Sequence, residues 1–212
     1  MANHTRIAGT AAPLPLNNLD TDQIIPKQFL LGIDKAGLAR GVLYDLRTNA
    51  DGSPNTTFVL NQPAYRDARI LIAGTNFGCG SSREHAVWSL QQAGIEAVIA
   101  PSFGEIFYFN ALNNRLLLIV LDHHIVRTLT ERVSDPAQSA LTIDVERQCV
   151  VTAGGAEFGF DLPPRQKRMF VEGLDMIGMT LRERDMIAAF EARHDADNPW
   201  MKIDLPKQQR AA

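Results

Sequence analysis

The sequence predicts an α/β domain built on a buried, mostly parallel sheet or barrel flanked by helices, with a smaller group of strands and helices near the C-terminus. Three observations predict it. Short, almost purely apolar runs recur at 70–73, 97–100 and 116–121, the mark of strands covered on both faces. Helical stretches at 82–93 and 103–113 separate these runs, as crossovers between parallel strands require. The chain has 212 residues, enough for one proper core.

The elements follow in order. Residues 4–8 suit a first strand, and a proline-containing loop runs through 14–18. Asp20-Thr21-Asp22-Gln23-Ile24-Ile25-Pro26-Lys27 is polar, then apolar, and closed by proline. Short helices are expected at 28–31 and 35–46, the second with Ala36, Leu38, Ala39, Val42, Leu43 and Leu46 as its apolar set. Residues 48–57, rich in Asn, Asp, Gly, Ser and Pro, form a surface loop placed to serve as a lid or specificity element. After the strand–helix alternation, a helix near 123–133 precedes compact strands at 141–145, 148–151 and 156–160, with Gly154-Gly155 as the last turn. Helices at 163–172 and 180–192 end the ordered part, the latter turning Leu181, Met186, Ile187, Ala189 and Phe190 to one face. Residues 1–194 are thus expected to be a single domain and 195–212 a polar, flexible tail.

Composition excludes several classes. A net charge of −3 gives no reason to expect a nucleic-acid partner, and an apolar run of at most Leu116–Leu121 cannot span a membrane. The first residues lack a basic-then-apolar layout, so a cytoplasmic protein is expected. Two cysteines, Cys79 and Cys149, cannot build a disulfide framework, an iron–sulfur cluster or a four-cysteine zinc site. His123 and His124 are adjacent and diverge, so no metal site is expected from this chain alone.

Most information sits in Gly74-Thr75-Asn76-Phe77-Gly78-Cys79-Gly80-Ser81-Ser82-Arg83-Glu84-His85, between an apolar strand and a helix start. Glycines admit tight turns, and free amides, a helix N-terminus and a guanidinium would converge on a carboxylate or phosphate. Ser81 with Glu84 also fits a capping box, and Ser81 cannot serve fully both as cap and as ligand. Arg83 in the first helical turn opposes the helix dipole unless an anion lies nearby. The spacing matches neither a phosphate loop nor a dinucleotide fingerprint, and no nucleophile elbow surrounds Ser82 and His85. His85 is expected to be hydrogen-bonded in the interior, and Cys79 to be a small buried side chain.

The run Gly78-Cys79-Gly80-Ser81-Ser82-Arg83-Glu84-His85-Ala86 resembles the serine–arginine signature of the aconitase superfamily's swivelling domain. Three further blocks, 20–30, Ile99-Ala100-Pro101-Ser102-Phe103 with Ile106-Phe107-Tyr108, and 173–181, are similar in content and order to small subunits of 3-isopropylmalate dehydratases. The resemblance spans about residues 5 to 192. It implies a swivelling α/β domain and a hydro-lyase that isomerises 2- and 3-isopropylmalate by dehydration and rehydration in leucine biosynthesis. It implies a separate large subunit holding a 4Fe–4S cluster, with no cofactor bound by this chain, and a small dicarboxylate or hydroxy-acid substrate. By position, Ser81 matches the catalytic base and Ser82 a carboxylate-contacting hydroxyl. Arg83 matches a carboxylate-gripping arginine, and Asp22 an acid that orients a histidine of the partner. Lys27 and Arg47 are candidates for a second substrate-binding cation.

Two departures stand out. The family usually has Asp-Trp-Arg where Asp45-Leu46-Arg47 stands, and Asn-Gly-Leu-Leu-Pro where Asn114-Arg115-Leu116-Leu117-Leu118 stands. The second implies a different local turn. Both leave open a paralogous hydratase for citraconate, dimethylmaleate or another substituted malate, and a non-catalytic dicarboxylate-binding module remains the reading from another class.

Overall fold

The all-apolar runs become the central strands of one sheet because both of their faces are covered. A computed structural model describes residues 5–30 and 36–201. Residue 4 of the first expected strand, residues 31 and 35 of the short helices expected at 28–31 and 35–46, and residues 202–212 of the tail lie outside the described residues. The strands are β1 (Arg6–Leu14), β2 (Ile70–Ala73), β3 (Ala97–Ala100), β4 (Leu117–Val120), β5 (Ala140–Asp144), β6 (Cys149–Thr152) and β7 (Glu157–Gly159). Their order is β4-β3-β2-β1-β5-β6-β7. The β4-β3-β2-β1 half is parallel, and the β1-β5-β6-β7 half, made from the small C-terminal strands, is antiparallel.

Alternation along each strand explains the composition. Leu71, Ala73, Val98 and Ala100 join one core, while Ile70, Ile72, Ala97 and Ile99 join the other. The first core takes Ile24 from α1 (Thr21–Ile24), Ala86, Val87 and Leu90 from α3 (Glu84–Gln92), and Phe107 and Ala111 from α4 (Glu105–Asn114). Leu46 of α2 (Tyr44–Arg47) packs against its edge. The second takes Val126, Leu129 and Val133 from α5 (His123–Val133) and Phe170 from α6 (Pro164–Glu172). A polar residue anywhere in 70–73 would therefore face a core on one side or the other.

β1 and the helix expected at 35–46 differ from expectation, and the helix expected at 180–192 is split at 182–183. β1 is nine residues long and runs through Pro13. Its first half pairs with β5 and its second half only with β2. Ala11 donates its amide to Ser139, just beyond the end of β5, so Pro13, on the same side two residues on, interrupts no ladder. The helix expected at 35–46 is broken into a 3-10 turn at Leu38–Gly41 and the short α2. Between them Leu43 is left-handed at φ 52° and donates its amide to Ile24, which buries Val42 and Leu43 completely. Burial of two aliphatic side chains outweighs continuation of the helix.

Tyr65, 3% exposed, points its hydroxyl at the carbonyls of Val133 (2.8 Å) and Ser134 (3.1 Å) at the end of α5. Burial, helped by the charge of Asp135, pushes its pKa up from the ordinary tyrosine value. The neutral form is thus favoured in the fold, and the stability it contributes is complete below pH ~10 and lost as pH rises beyond. Tyr65→Phe is expected to cost about 1–2 kcal/mol in urea melts near pH 8. The same comparison near pH 11 should show a smaller difference.

The chain divides into two compact units, 1–175 and 176–212. The second is helical in its described part: α7 (Met176–Leu181), α8 (Arg184–Asp197) and a 3-10 turn at Pro199–Met201. The expected 194 boundary falls inside α8, and the expected apolar face there is exposed, Met186 at 70% and Phe190 at 56%. No helix among the described residues is long and apolar enough to cross a membrane.

Candidate functional site

The glycine-rich run lies at the carboxyl end of β2, where open parallel sheets present their ligand crevices. It is clasped from both sides. On one side Asn17 Oδ1 accepts from the Thr75 amide (2.9 Å), Leu19 O from Gly78 N (2.7 Å), and Cys79 O from Thr21 N (2.9 Å). Thr21 Oγ1 donates to Ser81 O at 2.8 Å. On the other side Ser102 accepts from Asn76 N through Oγ (2.9 Å) and from Phe77 N through O (3.1 Å), and Gly104 N donates to Phe77 O (2.9 Å). Two of the sequence blocks, 20–30 and 99–108, are therefore the walls of the turn.

Phe77 anchors it, fully buried and edge-on to Phe107 (5.5 Å) and Phe103 (6.4 Å). Gly78 and Gly80 are left-handed, at φ 74° and 88°. A Cβ on Gly78 would stand 2.3 Å from the Phe107 ring, so that glycine is required twice over.

The expected capping box does not form. α3 starts at Glu84 rather than 82, its N-cap is Arg83 in an extended conformation, and no side chain caps it. Glu84 instead accepts from Asn114 Nδ2 at 2.6 Å. Thr21 holds the Ser81 carbonyl in an extended approach, so the serine precedes the helix rather than opening it. Ser81 and Ser82 are both exposed, and neither hydroxyl has a partner among the described residues. The amides of Ser81, Ser82 and Arg83 likewise donate to nothing among the described residues. The conflict between cap and ligand is resolved in favour of a free hydroxyl.

The guanidinium of Arg83, 14% exposed as a side chain, makes an ion pair with Asp22 of α1, whose side chain is 43% exposed. The pair joins Arg83 Nη1, which is buried, directly to Asp22 Oδ1. Asp22 is held in place because Asp20 caps α1, accepting from Gln23 N at 2.7 Å while Gln23 Oε1 accepts from Asp20 N at 3.1 Å. Exposed hydroxyls, open amides and a guanidinium thus meet at one mouth, a set that suits a carboxylate.

The structure brings Ser81, Ser82, Arg83 and Asp22 together and places Arg47 elsewhere. Lys27 is exposed at the head of a 3-10 turn (Lys27–Phe29). Arg47 lines a separate cleft of about 470 Å³ that includes none of the turn's residues. His85 is half-buried against the Trp88 ring at 4.8 Å without a hydrogen bond among the described residues, and Cys79 is half-buried rather than fully so. Arg115 takes the left-handed conformation (φ 60°) that glycine favours at a helix end, so a glycine-type turn persists, with Nη1 donating to Gly173 O at 3.2 Å. Thr21, Asn17 and Ser102 are the functional supports that residue-type reasoning missed; only Thr21 and Ser102 could have been marked, by their place in the two blocks. Cys79 lies in the turn and Cys149 in β6, and no three His, Cys, Asp or Glu side chains converge on a metal position among the described residues. The donors here do not fit an iron–sulfur cluster.

The profile of the aconitase C-terminal domain matches residues 1–124. That of the C-terminal domain of 3-isopropylmalate dehydratase small subunits matches 176–204, starting where the second compact unit starts. The chain is 60% identical over 202 residues to 3-isopropylmalate dehydratase small subunit 1 of Chromobacterium violaceum, covering 95% of both chains. It is 48% identical to the corresponding protein of Mannheimia succiniciproducens, over 96% of this chain and 100% of that one. A crystal structure of 3-isopropylmalate dehydratase from Methanocaldococcus jannaschii superposes with a TM-score of 0.62 at 28% identity, over 88% of this chain and 99% of that one.

Proposed function

This chain belongs to the family of 3-isopropylmalate dehydratase small subunits, and from that premise we propose that its glycine turn is half of an active site completed by a large subunit. The activity is that of a hydro-lyase interconverting 2- and 3-isopropylmalate by dehydration and rehydration, a step of leucine biosynthesis. The paralogous-hydratase and non-catalytic readings are not favoured by relatives this similar. The chain acts in the cytoplasm.

Ser81 serves as the base that takes the proton from the carbon next to a substrate carboxylate. An ordinary serine hydroxyl is far too weak for this, so the reactive form is the alkoxide, stabilised by the open amides of 81–83 and by the Arg83 charge. Arg83 grips a substrate carboxylate through the guanidinium edge that Asp22 leaves free, and Ser82 adds a hydroxyl to the same group. Asp22 keeps the guanidinium in place and orients a histidine of the partner. Lys27 is the remaining candidate for the second carboxylate. The large subunit holds a 4Fe–4S cluster, which when bound supplies Lewis-acid contacts to the substrate hydroxyl and carboxylate.

The single observation that carries this reading is the pair of exposed, unbonded serine hydroxyls set among the open amides of 81–83, next to the Arg83 guanidinium. Arg83→Lys tests it, because lysine keeps the charge and loses the planar fork. In the reconstituted enzyme KM for isopropylmalate should rise about tenfold or more, with a smaller change in kcat. An unchanged KM would remove Arg83 from the substrate.

A further inference from the structure

The cleft that holds Arg47 has a chemistry that the catalytic turn does not use. It is lined by Arg40, Arg47 and Arg66, by the hydroxyl-bearing Tyr44 and Thr48, and by Asn61. No carboxylate lines it among the described residues. Its volume of about 470 Å³ is that of a small-molecule site rather than of a single ion.

Arg47 is the built part. Its side chain is half-buried, and Nε donates to Asn61 Oδ1 at 3.0 Å. That amide cannot turn over, because Asn61 Nδ2 donates to Arg47 O (2.7 Å) and Asn55 O (2.8 Å). The guanidinium is thereby oriented by a neutral group, and no counter-charge pairs with it among the described residues. Burial pushes its pKa down, so the fold bears the cost of keeping a charge there.

Part of the wall is formed by the 48–57 loop, which contributes Thr48, Gly52 and Pro54. The loop is tied to itself: Asp51 Oδ1 accepts from Ser53 N (2.9 Å) and Oγ (2.6 Å), and Asn49 N donates to Ser53 O (2.8 Å). A wall bonded in this way suits a preformed pocket better than a moving lid. Arg40 has no partner among the described residues. Arg66 meets only the adjacent Asp67 at 3.4 Å, an exposed pair of little strength. Both can turn to a ligand at the rim.

This cleft is not the catalytic mouth. Ala93, which lines it, ends α3, whereas Arg83 begins that helix, about 15 Å of helix away.

We propose that this cleft is a second anion site, binding a small molecule with at least two negative charges: one oxyanion on Arg47 in depth, the other between Arg40 and Arg66 at the rim. A dicarboxylate and a phosphate compound share that chemistry. Calorimetric titration of the full chain with succinate and with pyrophosphate, against sodium chloride at matched ionic strength, separates them. Saturable binding of at least one probe is expected. Arg47→Met should weaken it about tenfold or more, and so should the double variant Arg40→Gln/Arg66→Gln, whose exposed positions leave the fold intact. Arg83→Gln should leave it in place. Absence of binding beyond the chloride control, or binding that survives both cleft variants, would overturn the proposal. So would an Arg40→Gln/Arg66→Gln chain that binds the probes normally but no longer assembles with the large subunit, because the cleft would then be a protein interface.

Discussion

Ser81→Ala lowers kcat of the reconstituted enzyme by about 10²–10⁴-fold, the range for loss of a positioned base, and leaves the thermal midpoint unchanged. Both halves follow from the structure. The hydroxyl is exposed and bonded to nothing among the described residues, so its removal breaks no contact. α3 is capped by no side chain, so there is no capping energy to lose. Had the serine been the cap that its spacing to Glu84 suggests, the same substitution would cost about 1 kcal/mol of stability. Kinetics and a melt on one variant therefore separate a catalytic serine from a structural one. A midpoint that falls while kcat stays would reverse the assignment.

Gly78→Ala is expected to be the most destabilising change in the turn, and its magnitude is set by two additive causes. At φ 74° an alanine meets the left-handed penalty of roughly 1–2 kcal/mol. Its Cβ would also lie 2.3 Å from the Phe107 ring, which is buried and wedged against Phe77, an overpacking cost of about 1–3 kcal/mol. Gly94 is the internal control: its φ is 89°, yet a Cβ there meets nothing within 4 Å. Gly94→Ala should lose only the backbone part. Urea unfolding of the two variants should differ by about the overpacking term, and equal losses would mean that Phe107 can move aside.

Periodicity made the parallel half of the sheet legible because every side chain of 70–73 and 97–100 is buried, which leaves an uninterrupted apolar run. The helix at 123–133 was legible for the complementary reason, Val126, Leu129 and Val133 lying on one covered face. The break at Leu43 was not, since it depends on an amide bond to Ile24 and on burial that only the tertiary fold supplies. Nor was the long β1, whose Pro13 reads as a strand breaker until its unpaired side is known. In the site, residue types at the turn announced an anion, and the neighbouring blocks announced a family. Arg47 shows the limit: a cation of the right type, it opens on a different cleft because Asn61 turns it there. The Arg83–Asp22 pair joins residues 61 positions apart, beyond any local pattern.

We propose that the catalytic groups are split between two chains, with Ser81, Ser82 and Arg83 on this one. The most direct test is a titration of the purified chain with a cluster-bearing large subunit, following isomerisation of isopropylmalate. No turnover is predicted from either chain alone, with activity rising to a plateau at one small subunit per large subunit. Turnover by this chain alone, or full activity of the large subunit without it, would show that the site is not shared.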